Sequence, residues 1–325
     1  MVGRFAGVAE RIAKGDGMRY LAGLLLVLAL CVAAFSANAC PKVVFEEQQV
    51  PTPAVDEWLF ASQNLWHFND AVSPGRLRML AHYVRDRLQS PHLLAVQEVA
   101  SHDVLMQLAA VIKHIGGPEY DTWLIPGNDA GNMHVGVLVR KPLRVERVAA
   151  LFTEVGTRTS VALFQRPPLH VQLAYPALDV VVVHQRSGLG LPERQAAEQR
   201  LAQAEHVLQW VRERHGQQRE VLLLGDFNTH DQADIFGEPY AVYNQPPLRN
   251  ALMLVPEADR FTYIYRCQRQ AIDHAFVTPG LWHKVNRAAI SRGNAGRYDA
   301  LYASKGEFVV SDHDGIAVYV QQPTD

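Results

Sequence analysis

At 325 residues, with 48% hydrophobic and 20% charged residues, the chain can bury a large core, and this composition excludes an intrinsically disordered protein. The formal net charge is −2, and beyond residue 39 it becomes −4, with 27 Lys/Arg against 31 Asp/Glu. No global basic field steers the chain to nucleic acid, so any recognition of phosphate has to be local.

Residues 1–39 read as an export signal. Arg11, Lys14 and Arg19 precede the apolar run Leu21–Phe35, and Ala37-Asn38-Ala39 has the small-residue form of a signal-peptidase site. The run is too short for a comfortable membrane span, so the mature form is expected to have none, with an uncleaved, membrane-anchored form as the alternative. Met18 is an alternative start that makes the signal more compact. Lipidation at Cys40 is disfavoured, because Ala37 and Asn38 make a poor lipoprotein box. The expected location is periplasmic or secreted. Cys31 lies in the signal, leaving Cys40 and Cys267, which an oxidising compartment would allow to pair, although sequence does not place them together. No cysteine or histidine cluster has zinc spacing.

Residues 40–57 form a lead-in with Pro51 and Pro53, and the length of 58–325 allows one large domain or two ordinary ones. Trp58–Asn64 predicts a first strand. Leu77, Leu80, Val84 and Leu88 recur at helical spacing and stop before Ser90-Pro91, and His92–Val99 predicts a buried strand that carries Glu98. A carboxylate in an apolar run needs a cation or several donors. Val104, Leu108, Val111, Ile112 and Ile115 predict a second helix, closed by Gly116-Gly117-Pro118. Strands are then expected at Tyr120–Ile125, Val135–Arg140, Val145–Phe152, Ser160–Phe164 and Val171–Leu173, with a turn at Gly127–Gly131.

The apolar strand Leu178–Val183 delivers His184, and a long helix over Glu193–Arg214 leads to the central strand Val221–Leu224. That strand ends in Gly225-Asp226-Phe227-Asn228. Asp226 and Asn228 are two apart on an extended exit, so their side chains point the same way, an anion beside an amide. Such a pair suits an anion that holds water or metal and an amide that donates to phosphate, but it is also the signature of an Asx-turn. Strands follow at Phe261–Tyr265 and Ala271–Val277, the latter containing Asp273. Residues 280–306 read as a polar, Gly-rich surface insertion, and Phe308–Val310 lead through Ser311-Asp312-His313 to a closing strand at Ile316–Val320.

Asn64, Glu98, His184, Asp226, Asn228, Asp273, Asp312 and His313 thus all stand in or at the ends of buried strands. Their order and wording, Asn64, then Val96-Gln97-Glu98, His184, Gly225-Asp226-Phe227-Asn228, Ile272-Asp273-His274 and Ser311-Asp312-His313, resembles the endonuclease/exonuclease/phosphatase superfamily. Its members include pancreatic-type deoxyribonucleases, exonuclease III-like repair enzymes, bacterial sphingomyelinases and inositol polyphosphate 5-phosphatases. The resemblance runs from about Trp58 to Val320. It implies an α/β four-layer sandwich, two packed mixed β-sheets flanked by helices, that hydrolyses phosphate esters with Mg²⁺, or alternatively Mn²⁺ or Ca²⁺.

By that resemblance Glu98, with Asn64 and Asp312, supplies the hard oxygen shell of the metal. His313 is oriented by Asp273 and assists proton transfer, Asp226 orients or deprotonates the attacking water, and Asn228 holds the phosphate. His184 donates to a nonbridging oxygen or to the leaving group, and Arg158, in Gly156-Thr157-Arg158-Thr159-Ser160, clamps phosphate. Gly131-Asn132-Met133-His134 departs from the family pattern and leaves the partner of His184 unassigned. Leu224 and Thr229 replace the Trp and Arg of the inositol phosphatase signature, which argues against inositol phosphates. The expected function is an exported, monomeric phosphodiester hydrolase acting on DNA or RNA. A phosphatase or sphingomyelinase-type lipid phosphodiesterase is the alternative, and a non-catalytic binding module is a further one.

Overall fold

The computed structural model describes residues 46–156, 162–188, 191–230, 239–265, 267–296 and 310–322. Strand β1 (Glu57–Phe68) leads to helix α1 (Pro74–His82), whose start is set by Ser73: its hydroxyl accepts from Arg76 N–H at 3.2 Å, and Pro74 occupies the first turn. A π-helical turn, Tyr83–Arg87, extends α1 and gives way to β2 (Leu93–Val99). Helix α2 (His102–His114) is capped by the Ser101 hydroxyl, which accepts from Val104 N–H at 3.1 Å. Its charges follow the helix dipole, with Asp103 in the first turn and Lys113 and His114 in the last.

Next come β3 (Asp121–Ile125), β4 (His134–Val139), β5 (Arg144–Ala150), β6 (Leu169–Tyr175) and β7 (Leu178–His184). Helix α3 (Glu193–Gly216) then leads to β8 (Glu220–Asp226), α4 (Pro239–Tyr243) and β9 (Arg249–Asn250). The chain finishes with β10 (Tyr263–Tyr265), β11 (Gln268–Gln270), β12 (Asp273–Val277), α5 (Pro279–Trp282), β13 (Val285–Ile290) and β14 (Ile316–Gln321).

Two six-stranded mixed sheets result, one ordered β13-β14-β1-β2-β4-β3 and the other β5-β6-β7-β8-β12-β9. Each contains one parallel pair, β1 with β2 and β7 with β8, among antiparallel neighbours. The inner faces meet through Trp58, Phe60, Leu93, Ala95, Val180, Val182, Leu222 and Leu224, all buried. The outer face of the first sheet packs Leu94, Val96 and Ala317 against Leu80, Leu105 and Leu108 of α1 and α2. The outer face of the second packs Val181, Leu223 and Phe276 against Ala204, Val207 and Val211 of α3. The order of layers is therefore helix, sheet, sheet, helix, the expected sandwich. With both faces covered, Val180–Val183 of β7, after the buried Asp179, and Val221–Leu224 of β8 read as continuous apolar runs rather than alternating ones. Each such Val or Leu contributes about 1.5–3 kcal/mol through burial.

Several expectations need correction. Residues 280–306 are not a surface insertion in their described part: they contain the last three residues of α5 and all of β13, which pairs with β14. The sequence Val285–Ile290 hides this because β13 is an edge strand of mixed exposure without an apolar run. No strand covers Ala162–Phe164, where a single bridge joins Ala162 to Gly156, and Ser160 and Val161 lie outside the described residues. The strand expected at Phe261–Tyr265 is only the three residues of β10, which pair with β11 in a separate hairpin. The lead-in is tied down: Gln48 bridges to Arg292, and Val50 is buried with its N–H on Arg87 O at 2.8 Å. Among the described residues no helix is long and apolar enough to cross a membrane.

Candidate active site

The two parallel pairs end side by side. In the first sheet β1 and β2 present Asn64 and Glu98, and in the second β7 and β8 present His184 directly opposite Asp226. Antiparallel β12 begins at Asp273, which is also paired with Asp226. The loop before β14 adds Asp312 and His313 from the first sheet. Gly225 makes the approach of β8 to β7 possible: its φ is +144°, and a Cβ there would stand 2.1 Å from Val183 O.

Asp226 is where the groups meet. Its Oδ1 accepts from Asn228 N–H at 2.8 Å, so the Asx-turn is real. Its Oδ2 faces the Asn64 amide nitrogen at 3.1 Å, His184 Nε2 at 3.6 Å and His313 Nε2 at 4.0 Å. Asn64 Nδ2 also donates to Glu98 Oε1 at 3.1 Å, while its Oδ1 accepts from Trp66 N–H at 2.9 Å. Oriented this way, Asn64 bridges the two sheets as a donor, and its Oδ1, which accepts from Trp66 N–H, keeps a second lone pair. Asn228 donates through Nδ2 to Gln185 O at 3.2 Å. Trp66, His67, Glu98 and Asn228 all adopt left-handed backbone, with φ of 46°, 48°, 62° and 49°, a conformation that concentrates at functional sites.

His313 Nδ1 donates to Asp273 Oδ2 at 2.7 Å, and Tyr263 lies over the ring with centroids 4.8 Å apart. The His313 carbonyl is held by the amides of Gln63 (2.9 Å) and Asn294 (3.0 Å), and Tyr83 fixes Gln63 by donating to its Oε1 at 2.7 Å. On the other side Arg166, 6% exposed, donates from Nη1 to His184 Nε2 at 3.0 Å and from Nη2 to Gln185 O at 2.7 Å. A guanidinium only donates, so Nε2 accepts and the His184 proton sits on Nδ1, a buried atom with no partner. The proton-donor role expected of His184 is therefore not available at Nε2, the atom that faces Asp226.

These contacts drive the titrating groups apart. Burial pushes Asp226 up to about 7, with the nearby Asp273 charge adding to the rise and His313 opposing it. Burial also works against a charged His313, but Asp273 outweighs it and holds the ring well above its ordinary value. His184 moves the opposite way, well below its ordinary value, through burial and the adjacent Arg166 charge. One imidazolium and one neutral imidazole thus flank the same carboxylate.

Asp312 is raised by burial and by the neighbouring Glu98, with His313 opposing, and its Oδ1 is buried with no hydrogen-bond partner. This oxygen, with no hydrogen-bond donor and only His313 Nε2 facing it at 4.0 Å, lies next to a second carboxylate and is suited to a cation. Arg76 supplies charge nearby, but its Nη2 is taken by the carbonyls of Leu65 (2.6 Å), Trp66 (2.5 Å) and Val310 (3.2 Å). Asp226, Asp273 and His313 form another buried group, with potential ligand atoms within 4.8 Å of one another. There the 2.7 Å Asp273–His313 hydrogen bond runs through Nδ1 and leaves His313 Nε2 facing Asp226 Oδ2 at 4.0 Å.

Of the residues expected from sequence, Asn64, Glu98, His184, Asp226, Asn228, Asp273, Asp312 and His313 come together here, and Arg158 lies outside the described residues. Sequence reading missed Arg166, Arg76 and Tyr263. Arg166 stands in Gln165-Arg166-Pro167-Pro168, where prolines erase any periodic signal, and Arg76 looks like a solvated helix residue. For Tyr263, its place eleven residues before His274 in a short aromatic run carries no mark of function.

The fold is similar to solved structures at low identity. Truncated Caenorhabditis elegans TDP2 aligns with a TM-score of 0.58 and 18% identity over 82% of this chain and 98% of that one. D. rerio TDP2, complexed with single strand DNA product, gives 0.59 and 18% over 81% and 98%. A Neisseria 3' phosphatase, NExo, bound to product DNA hairpin, gives 0.57 and 16% over 80% and 98%. No curated protein matches the chain by sequence. The sequence profile of the Endonuclease/Exonuclease/phosphatase family, whose members are metal-dependent phosphoesterases, matches residues 61–313 and with them every site residue above, so the chain belongs to that family.

Proposed function

We propose that the protein is an exported, Mg²⁺-dependent phosphodiester hydrolase that cleaves DNA or RNA. The observation that carries this reading is the meeting at Asp226 Oδ2 of Asn64, His184 and His313, beside Asp312 Oδ1, which has no hydrogen-bond donor. Glu98 and Asp312, with Asn64 Oδ1, would hold the cation, which suits these hard oxygens, and the Asn64 amide nitrogen also orients Glu98. When bound, the cation supplies charge stabilisation to a phosphoryl oxygen and to the leaving oxygen.

Asp226, raised into the neutral range, accepts the proton of the attacking water. His313, charged and aimed by Asp273, donates at Nε2 to the phosphate or the leaving oxygen. Arg166, already desolvated, offers its remaining N–H groups to nonbridging oxygens, and neutral His184 keeps that guanidinium in place without adding a second charge. Asn228 completes the phosphate contacts.

Nucleic acid is favoured as substrate because the D. rerio TDP2 and Neisseria NExo structures hold product DNA. Export is supported by residues 1–39 and by the disulfide bond of Cys267, a linkage typical of oxidising compartments. The purified protein should nick plasmid DNA or degrade RNA with Mg²⁺ and stop when chelator is in excess. Cleavage of only sphingomyelin or of a small bis-aryl phosphate would replace the substrate, and failure on all four with folded protein would overturn the reading.

A further inference from the structure

Strand β1 continues past Asn64, and two aromatic side chains follow at the mouth of the site. Trp66 and His67 both take left-handed backbone, with their N–H groups fixed on Asn64 Oδ1 at 2.9 Å and Glu98 Oε2 at 2.8 Å. Their rings meet edge to face, with centroids 5.8 Å apart and planes at 78°. The Arg76 guanidinium lies over the Trp66 ring at 5.1 Å and is itself fixed by the Leu65, Trp66 and Val310 carbonyls. Trp66 is half-buried in this arrangement. The His67 side chain is exposed, and among the described residues nothing hydrogen-bonds its ring.

His67 stands over the gap between the sheets. Its N–H is on Glu98 of the first sheet. Its imidazole, when charged, acts on His184 of the second sheet, after burial, Arg166 and His313 in holding that ring below its ordinary value. A strand that lays a phosphate between Glu98 and Asp226 therefore passes an exposed, supported aromatic ring that the proposed chemistry does not use.

The charge balance bears on what that ring can do. Beyond residue 39 the chain carries a net −4, so attraction to the phosphate backbone contributes little away from the site. Stacking of a base on an aromatic ring needs no net charge, and it tolerates any sequence because every base has a π-face. Bases in a duplex are paired and stacked on one another, so only an unpaired base can rest on a ring of the protein. Resting on the phosphodiesterase reading above, we propose that His67, supported by Trp66, is the stacking platform for an unpaired base next to the scissile phosphate, and that the substrate class of the site is single-stranded nucleic acid.

Fluorescence anisotropy of the full chain with Mg²⁺ tests this, using a labelled thymidine oligonucleotide whose phosphorothioate linkages resist cleavage. An abasic strand of the same backbone and the thymidine strand annealed to its complement are run in parallel. The thymidine strand should bind about fivefold to a hundredfold more tightly than the abasic strand, and more tightly than the duplex. His67→Ala changes an exposed position; it should weaken binding of the thymidine strand at least about fivefold and leave the abasic strand unchanged, and His67→Phe should restore the difference. Equal affinity for the thymidine and abasic strands, or binding of neither, would overturn the proposal. So would tighter binding of the duplex, or a His67→Ala variant that changes both strands alike or neither. Hydrolysis is scored separately on ordinary DNA: base-dependent binding without chelator-sensitive cleavage keeps the platform and removes the phosphodiesterase reading, whereas cleavage without base-dependent binding removes only the platform.

Discussion

The two sheets bring unlike things to the site. The first contributes Glu98, whose oxygens accept from the Asn64 amide and His67 N–H, and Asp312, whose Oδ1 has no hydrogen-bond donor. The second contributes His184, Asp226 and Asp273, each already engaged: Arg166 on His184, Asn228 N–H on Asp226, and His313 on Asp273. Residues 312 and 313 are adjacent in the chain and their side chains meet, His313 Nε2 standing 4.0 Å from Asp312 Oδ1 while its Nδ1 closes a hydrogen bond with Asp273. In the proposed reading the cation would rest on Glu98 and Asp312 of the first sheet and proton transfer on Asp226 and Asp273 of the second, with His313 between them.

The sharpest break of this division is Asp226→Asn. It should cost about 10²–10⁴ in kcat: Asn still accepts from Asn228 N–H through Oδ1, while its Nδ2 removes the base and also the acceptor of the Asn64 amide. The same variant has a stability signature in metal-free protein. The Asp226 carboxyl is raised from 3.8 to about 7 in the folded chain, so the folded state holds the extra proton between those values. Its contribution to stability is present below about pH 4 and is lost as pH rises through about 7; Asp226→Asn should flatten that part of the pH profile measured by thermal melts. A variant of unchanged rate would remove Asp226 from the chemistry.

Asp273→Asn comes next. Without the facing carboxylate the His313 ring loses the interaction that keeps it charged, so activity should disappear at lower pH than in the unaltered protein as pH is raised. His313→Ala instead strands a buried Asp273 and should cost about 3–5 kcal/mol of stability along with activity. Glu98→Gln tests the other side: metal affinity should fall at least about tenfold by calorimetry while the pH dependence attributable to His313 stays in place. If Glu98→Gln moved that pH dependence as strongly as Asp273→Asn, the separation of the two sides would fail. The smallest effect is expected of Asn64→Ala, which breaks the one amide that touches both Glu98 and Asp226, at about 1 kcal/mol of stability.

Much of this was legible in the sequence where burial is two-sided. The runs Leu178–Val183 and Val221–Leu224 announce strands, and a polar residue at their ends stands out against them, which is why His184 and Asp226 were visible. Legibility fails where burial is partial or backbone geometry is irregular. Edge strand β13 has no run to see. Arg166 is fixed by contacts to His184 and Gln185 that are distant in sequence and leave no local pattern. The orientation of Asn64, whose amide nitrogen bridges the two sheets, depends on Trp66 N–H, which only a left-handed turn brings within reach.

The Asn64–Asp226 bond joins one sheet to the other, so its 3.1 Å is also a gauge of the gap between two jaws. The shims that set this gap are the interlayer side chains, among them Phe60, Val182 and Leu224. Thinning a shim far from any reacting atom, as in Val182→Ala, lets the jaws settle closer or tilt. Loss of turnover in such a variant, beyond its loss of stability, would make the hydrophobic core part of the instrument that aligns the reaction.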